Sequence, residues 1–103
     1  MIPTSEGFEV IRINEIIRIE ADRAYCTVYL LNGQHITVSK PLREIEQLLP
    51  NDLFFRSHIS HVININTVLA YRKEDGGLLV LSDGSKVPVA KARKEDLVGM
   101  LGA

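Results

Sequence analysis

Apolar and polar residues alternate with a period of two over much of the chain, the spacing that sends successive side chains to opposite faces of a strand. Tyr25, Thr27, Tyr29 and Leu31 alternate with Cys26, Val28 and Leu30; after Asn32-Gly33, Ile36 and Val38 alternate with His35 and Thr37. Both faces of the incoming strand carry apolar groups, which predicts a sheet sandwiched between other layers. Similar patterns predict strands over Phe8–Ile13, Ile16–Ala21, Phe54–Ser57, His61–Ile65, Val68–Lys73, Leu78–Leu81 and Lys86–Val89. Asn32-Gly33, Asp75-Gly76-Gly77 and Asp83-Gly84 are residues that tolerate the positive φ of tight hairpin turns. An all-β or mainly β domain is the expectation.

Two segments keep a helical spacing instead. The first, Pro41 to Leu49, opens with a proline suited to a first helical turn, and Leu42, Ile45 and Leu49 share a face before Pro50-Asn51-Asp52 ends it. The second, about Ala92 to Leu101, aligns Leu97, Met100 and Leu101. Its basic end is N-terminal, where positive charge opposes the helix dipole, a weak hint of an anionic partner. There is no internal repeat, linker or low-complexity run, so residues 1–103 read as one domain.

Composition narrows the class. With 46% hydrophobic and 24% charged residues, the chain matches a soluble globular domain rather than a disordered one. No apolar run is long enough for a membrane helix, and Met1 to Gly7 lacks the layout of a secretory signal. The single cysteine, Cys26, excludes an internal disulfide and a cysteine-cluster metal site. A cytoplasmic location is expected. The net charge of −1 speaks against nucleic acid, but it divides unevenly: residues 1–55 carry −3 and residues 56–103 carry +2. Lys86, Lys91, Arg93 and Lys94 crowd one stretch, as a binding surface or as a solvated face.

Catalytic constellations are missing. Gly76-Gly77 and Gly84 lie in hairpin turns, not in a phosphate loop between strand and helix, and there is no Gly-x-Ser-x-Gly elbow. Cys26 falls inside a strand pattern, as a buried structural thiol would. His58-Ile59-Ser60-His61 is the one tempting pair; if extended, residues three apart face opposite ways and do not chelate one ion. A zinc site would need two further ligands, with only His35 and scattered carboxylates to hand. No enzyme activity, metal or cofactor is expected.

The segment Phe54-Phe55-Arg56-Ser57-His58-Ile59-Ser60-His61-Val62-Ile63-Asn64 resembles the signature of LytTR DNA-binding domains. There, Phe-x-Arg-x-His precedes a basic residue, Ser, an aromatic, two aliphatics and Asn. Glu20-Ala21 with Tyr25, Val38-Ser39-Lys40-Pro41-Leu42, and Asp83-Gly84 through Val87-Pro88-Val89-Ala90-Lys91 are similar to three further parts of the family pattern, in order and spacing, over roughly Ile13 to Leu97. The resemblance implies a mainly β fold: an elongated stack of small, mostly antiparallel sheets with two short flanking helices. It implies that loops at the sheet ends, not a recognition helix, enter successive major grooves of duplex DNA.

The family's base-contacting positions fall at Tyr25 or its neighbour Ala24, at Ile59 and at Lys91. Tyr25 either bonds a base edge or phosphate through its hydroxyl or is a cross-strand packing residue. Lys91 stands where the family usually has arginine, and without the bidentate fork its discrimination of guanine is expected to be weaker. Ile59 neither neutralises phosphate nor hydrogen-bonds; it makes an apolar contact or leaves its groove unread. His61 replaces the usual aromatic as a packing ring. Arg56, Lys40, Arg93 and Lys94 are candidate phosphate contacts, with Ser57, Ser60 and His58 as hydrogen-bond donors. Arg56 has a structural ion pair as its alternative role, and Asn64 and His58 have the satisfaction of backbone groups. The implied function is transcriptional regulation by duplex DNA binding at paired sites, as a homodimer. The domain would be the C-terminal part of a bacterial response regulator, downstream of a receiver domain and a sensor histidine kinase. The rival reading is a protein-interaction module on the same fold with eroded DNA contacts; a metal-dependent enzyme using His58 and His61 is a third.

Overall fold

A computed structural model of the protein describes residues 2–4 and 7–102. The strands are β1 (Ile2–Thr4), β2 (Gly7–Glu9), β3 (Ile16–Asp22), β4 (Tyr25–Leu30), β5 (His35–Val38), β6 (Phe54–His58), β7 (His61–Asn64), β8 (Val68–Arg72), β9 (Leu78–Leu81) and β10 (Lys86–Pro88). Helix α1 (Leu42–Gln47) follows β5, and α2 (Lys94–Leu101) follows a single 3-10 turn at Lys91–Arg93. All pairings are antiparallel: a β1-β2 ribbon, a five-stranded sheet β5-β4-β3-β7-β6 and a three-stranded sheet β10-β9-β8. With extents of 40 × 25 × 22 Å, the domain is elongated.

The five-stranded sheet separates two cores. On one side Ile19, Cys26, Val28, Leu30, Val38 and Val62 pack beneath Leu42 and Ile45 of α1. On the other, Ile17, Phe55 and Ile63 meet Leu79, Leu81 and Val87 of the smaller sheet and Leu97 of α2. A β-bulge between Ile16 and Arg18 shifts the pleat, so Ile16 joins Ile19 in the first core while Ile17 faces the second. Burying each of these isoleucines contributes roughly 1.5–3 kcal/mol, so β3 cements both layers.

Several expectations shift. Only β3, β6 and β7 are covered on both faces; the outer face of β4 meets no second layer, so Tyr25 remains 53% exposed. Instead, the Arg18 guanidinium lies 3.9 Å from the centre of the Tyr29 ring. The strand expected over Phe8–Ile13 ends at Glu9, opposite Ile2 of β1, and Ile13 opens a 3-10 turn. The last strand stops at Pro88, which has no N–H to extend the ladder. Leu101, expected on the buried face of α2, is 37% exposed. The helix itself begins at Lys94 with Glu95 and Asp96 in its first turn, so acidic groups answer its dipole.

A candidate nucleic-acid interface at one end of the sheet

Register places four connections side by side at one end of the five-stranded sheet. Asp22 pairs with Tyr25 across a turn in which Arg23 takes φ 59°, and Ala24 is exposed beside it. One strand outward, Cys26 pairs with Val38, so Ser39-Lys40 leave β5 at this end, and the Cys26 thiol donates to the Lys40 carbonyl at 3.1 Å. Burial pushes that thiol's pKa up against the opposing charge of Arg56, in keeping with a structural role. In the other direction, the Ala21 N–H donates to the Ser60 carbonyl at 2.8 Å and draws the β6–β7 turn alongside. Beyond β6, the Ala90 N–H donates to the Ser57 carbonyl at 2.7 Å, which seats Lys91 next in the row. With strands about 4.8 Å apart, Lys40 to Lys91 spans roughly 24 Å before side chains are added.

The candidates differ in what their side chains touch. Lys91 and Ile59 project, Ile59 with 76% of its surface exposed. Lys40 is only loosely engaged, 3.9 Å from Glu44. Lys94 lays its Cε 3.2 Å from where a Cβ on Gly77 would sit, and Gly77 has φ 115°. Lys86, at the far end of β10 opposite Val80, does not join the other cations, so the basic run 86–94 is not one patch.

The guanidinium groups of Arg56 and Arg93 are both engaged by the fold. Arg56 donates from Nε to the His58 carbonyl (3.1 Å), from Nη2 to the Ile59 carbonyl (2.6 Å) and from Nη1 to Glu46 on α1 (2.9 Å). The structural ion pair raised as its alternative role is present. Arg93 donates to the Arg56 carbonyl at 3.0 Å, pairs with Asp96 at 2.9 Å, and stacks 4.6 Å from the centre of the Phe55 ring. Ser57 requires a correction: its side chain is 0% exposed and its hydroxyl has no partner among the described residues, so it does not face a phosphate at the surface.

His58 and His61 also depart from expectation. Ile59-Ser60 forms a tight turn, making the two histidines cross-strand partners with ring centres 5.6 Å apart rather than residues on opposite faces. The Ser60 N–H donates to Nδ1 of His58 at 3.1 Å, closing the turn. Among the described residues, no three His, Cys, Asp or Glu side chains group as a metal site. Burial holds His61 below the ordinary histidine range, with Glu20 opposing and His58 and Arg18 adding to it. Asn64 is buried and satisfies backbone, donating to the Ile16 carbonyl at 2.9 Å and accepting from the Asn66 N–H at 2.9 Å. Sequence reasoning missed Glu46 and Arg23. Glu46 stands out only as the position after the buried Ile45, and Arg23 replaces the Gly or Asn that would have marked a turn.

The sequence pattern described as the LytTr DNA-binding domain matches residues 6–102. A CO-responsive transcriptional regulator of Rhodospirillum rubrum, RcoM, is 36% identical over 99 residues, covering 93% of this chain and 42% of the regulator. A sensory transduction protein of Bacillus cereus, LytT, is 26% identical over 97% of this chain and 41% of its own length. The chain thus spans about two fifths of the regulators it matches. A solved LytTr DNA-binding domain from Bacillus cereus superposes with a TM-score of 0.83 at 27% identity, over 99% of this chain and 94% of that one. Among the described residues, no helix is long and apolar enough to cross a membrane.

Proposed function

The chain belongs to the LytTr DNA-binding domain family, and from that premise we propose that it reads duplex DNA sequence through the loops at one end of its five-stranded sheet. One observation carries the reading: the turn at Arg23-Ala24, the turn at Ile59-Ser60 and the junction at Lys91 stand side by side at one end of the five-stranded sheet. Rigid strands hold these loops in register, so little order must be gained on binding. Lys91, exposed and free of ion pairs among the described residues, donates to guanine O6 or N7. Ile59 offers its apolar surface to a thymine methyl, and the Tyr25 hydroxyl bonds a base edge or phosphate. Lys40 and Lys94 neutralise phosphates, which fix register without reading sequence. The domain acts without catalysis, as the output part of a bacterial transcription regulator in the cytoplasm, with a receiver domain and sensor kinase upstream. Pairs of domains bind paired sites, because one small domain reads too few base pairs for genomic specificity.

Selection from a randomised duplex pool, followed by fluorescence anisotropy across a salt series, tests the proposal. A recovered motif, a steep loss of affinity with salt and relaxed preference in Lys91→Ala are expected. Weak binding with no recovered motif would favour the rival reading, a protein-interaction module, for which the bare apolar tip at Ile59 is the supporting observation.

A further inference from the structure

We infer that Arg56 is a positioning residue for the Ile59-Ser60 turn, and that Glu46 on α1 is the second half of the device. The inference rests on the DNA-reading proposal for what the turn does, but not for how it is held. The turn contains neither Gly, Pro, Asn nor Asp, and its exposed Ile59 side chain provides no anchor within the fold. A β-bulge between Arg56 and His58 further loosens the ladder leading into it. The guanidinium adds to the two bonds that already hold the turn, Ser60 N–H to His58 Nδ1 and Ala21 N–H to the Ser60 carbonyl. It gathers the consecutive carbonyls of His58 and Ile59 on one cation, while Glu46 fixes the cation from the helix side.

Three of the five guanidinium N–H groups are thus committed, and the side chain is only 25% exposed. Lysine cannot reproduce this arrangement, since a point charge on a flexible stem cannot bridge two carbonyls and a carboxylate in one plane. The base-reading turn is therefore tied to α1 through a side chain that does not itself meet DNA.

The test compares the full chain with Arg56→Lys and Glu46→Gln. The first readout is the ratio of affinities for the selected duplex and a scrambled duplex, because bulk electrostatics cancels in that ratio. A positioning role lowers the ratio about tenfold in Arg56→Lys, where the charge is kept. It lowers the ratio about threefold in Glu46→Gln, where only the exposed half of the clamp is lost. If Arg56 were a phosphate contact, Arg56→Lys would leave the ratio unchanged. Glu46→Gln would then tighten both duplexes alike, and this pair of results overturns the inference. The second readout needs no DNA: hydrogen exchange at the Ser60 amide is expected to speed up about tenfold in Arg56→Lys, with the core amides of β3 unchanged. If the wild type shows no sequence preference, the DNA proposal fails and Ser60 exchange alone decides, unchanged protection refuting the positioning role.

Discussion

Arg56 and Arg93 lie with their guanidinium groups on backbone carbonyls and one carboxylate each, and Arg93 also on the ring of Phe55, whereas Lys91 projects without an ion-pair partner among the described residues. All three stand within one short stretch of the sheet end. The arginines are built into the platform, and the lysine is presented by it. The difference follows from chemistry: a planar fork suits several fixed acceptors, while a compact ammonium on a flexible stem stays hydrated until a partner arrives. Positive charge beside a DNA-facing loop is therefore not evidence of a DNA contact until the acceptors already holding it are counted.

The contrast is broken most severely from beneath. Phe55→Ala removes both the ring under Arg93 and a wall of the second core, and is expected to cost about 3–5 kcal/mol in urea unfolding. A loss below 1 kcal/mol would show that the platform does not depend on this ring. Lys91→Ala is expected to leave unfolding unchanged while giving up roughly 1–3 kcal/mol of discrimination on the selected duplex. Arg93→Ala should show the reverse order, with stability falling more than sequence preference; equal losses in both assays for the two variants would erase the distinction.

Ser57→Ala sharpens it on a smaller scale. The buried hydroxyl has no partner among the described residues, so its removal should be neutral or raise stability by up to about 1 kcal/mol. Destabilisation would mean that the hydroxyl is satisfied after all. The mildest effect is a pH slope. Because burial chiefly keeps His61 neutral, the unfolded chain binds a proton that the fold resists. This stabilisation is complete above the ordinary histidine pKa near ~6.5 and is lost as pH falls toward the depressed folded value. Unfolding at about pH 7.5 and about pH 5.5 should show that slope in the wild type and a shallower one in His61→Phe. Identical slopes would assign the titration to another group.

Much of this architecture is legible in local chemistry. Asn32-Gly33 and Asp83-Gly84 mark their turns because positive φ is cheap there, and the buried face of each long strand shows in its alternation. Arg23-Ala24 and Ile59-Ser60 carry no such mark; the second is held by the Arg56 guanidinium on two of its carbonyls, by His58 Nδ1 on the Ser60 N–H and by the Ala21 N–H on the Ser60 carbonyl. The bulge at Ile16 is equally silent in a run of isoleucines that would fit either register. For the candidate site, position along the chain was readable but side-chain destination was not. Nothing in the spacing tells that Arg56 reaches Glu46 or that Ser57 turns inward.

The bulge in β3 has a consequence for how order is lost. Because Ile16 and Ile19 serve one core and Ile17 the other, a single strand is the common wall of two compartments. A lesion on either side moves that wall, and the wall runs directly into the Arg23-Ala24 turn. The two layers are therefore expected to unfold as one cooperative unit, with no populated form that keeps the loops while shedding a layer. For the proposed reading of DNA by the relative placement of these loops, register would then be all-or-none, held complete or given up with the whole fold.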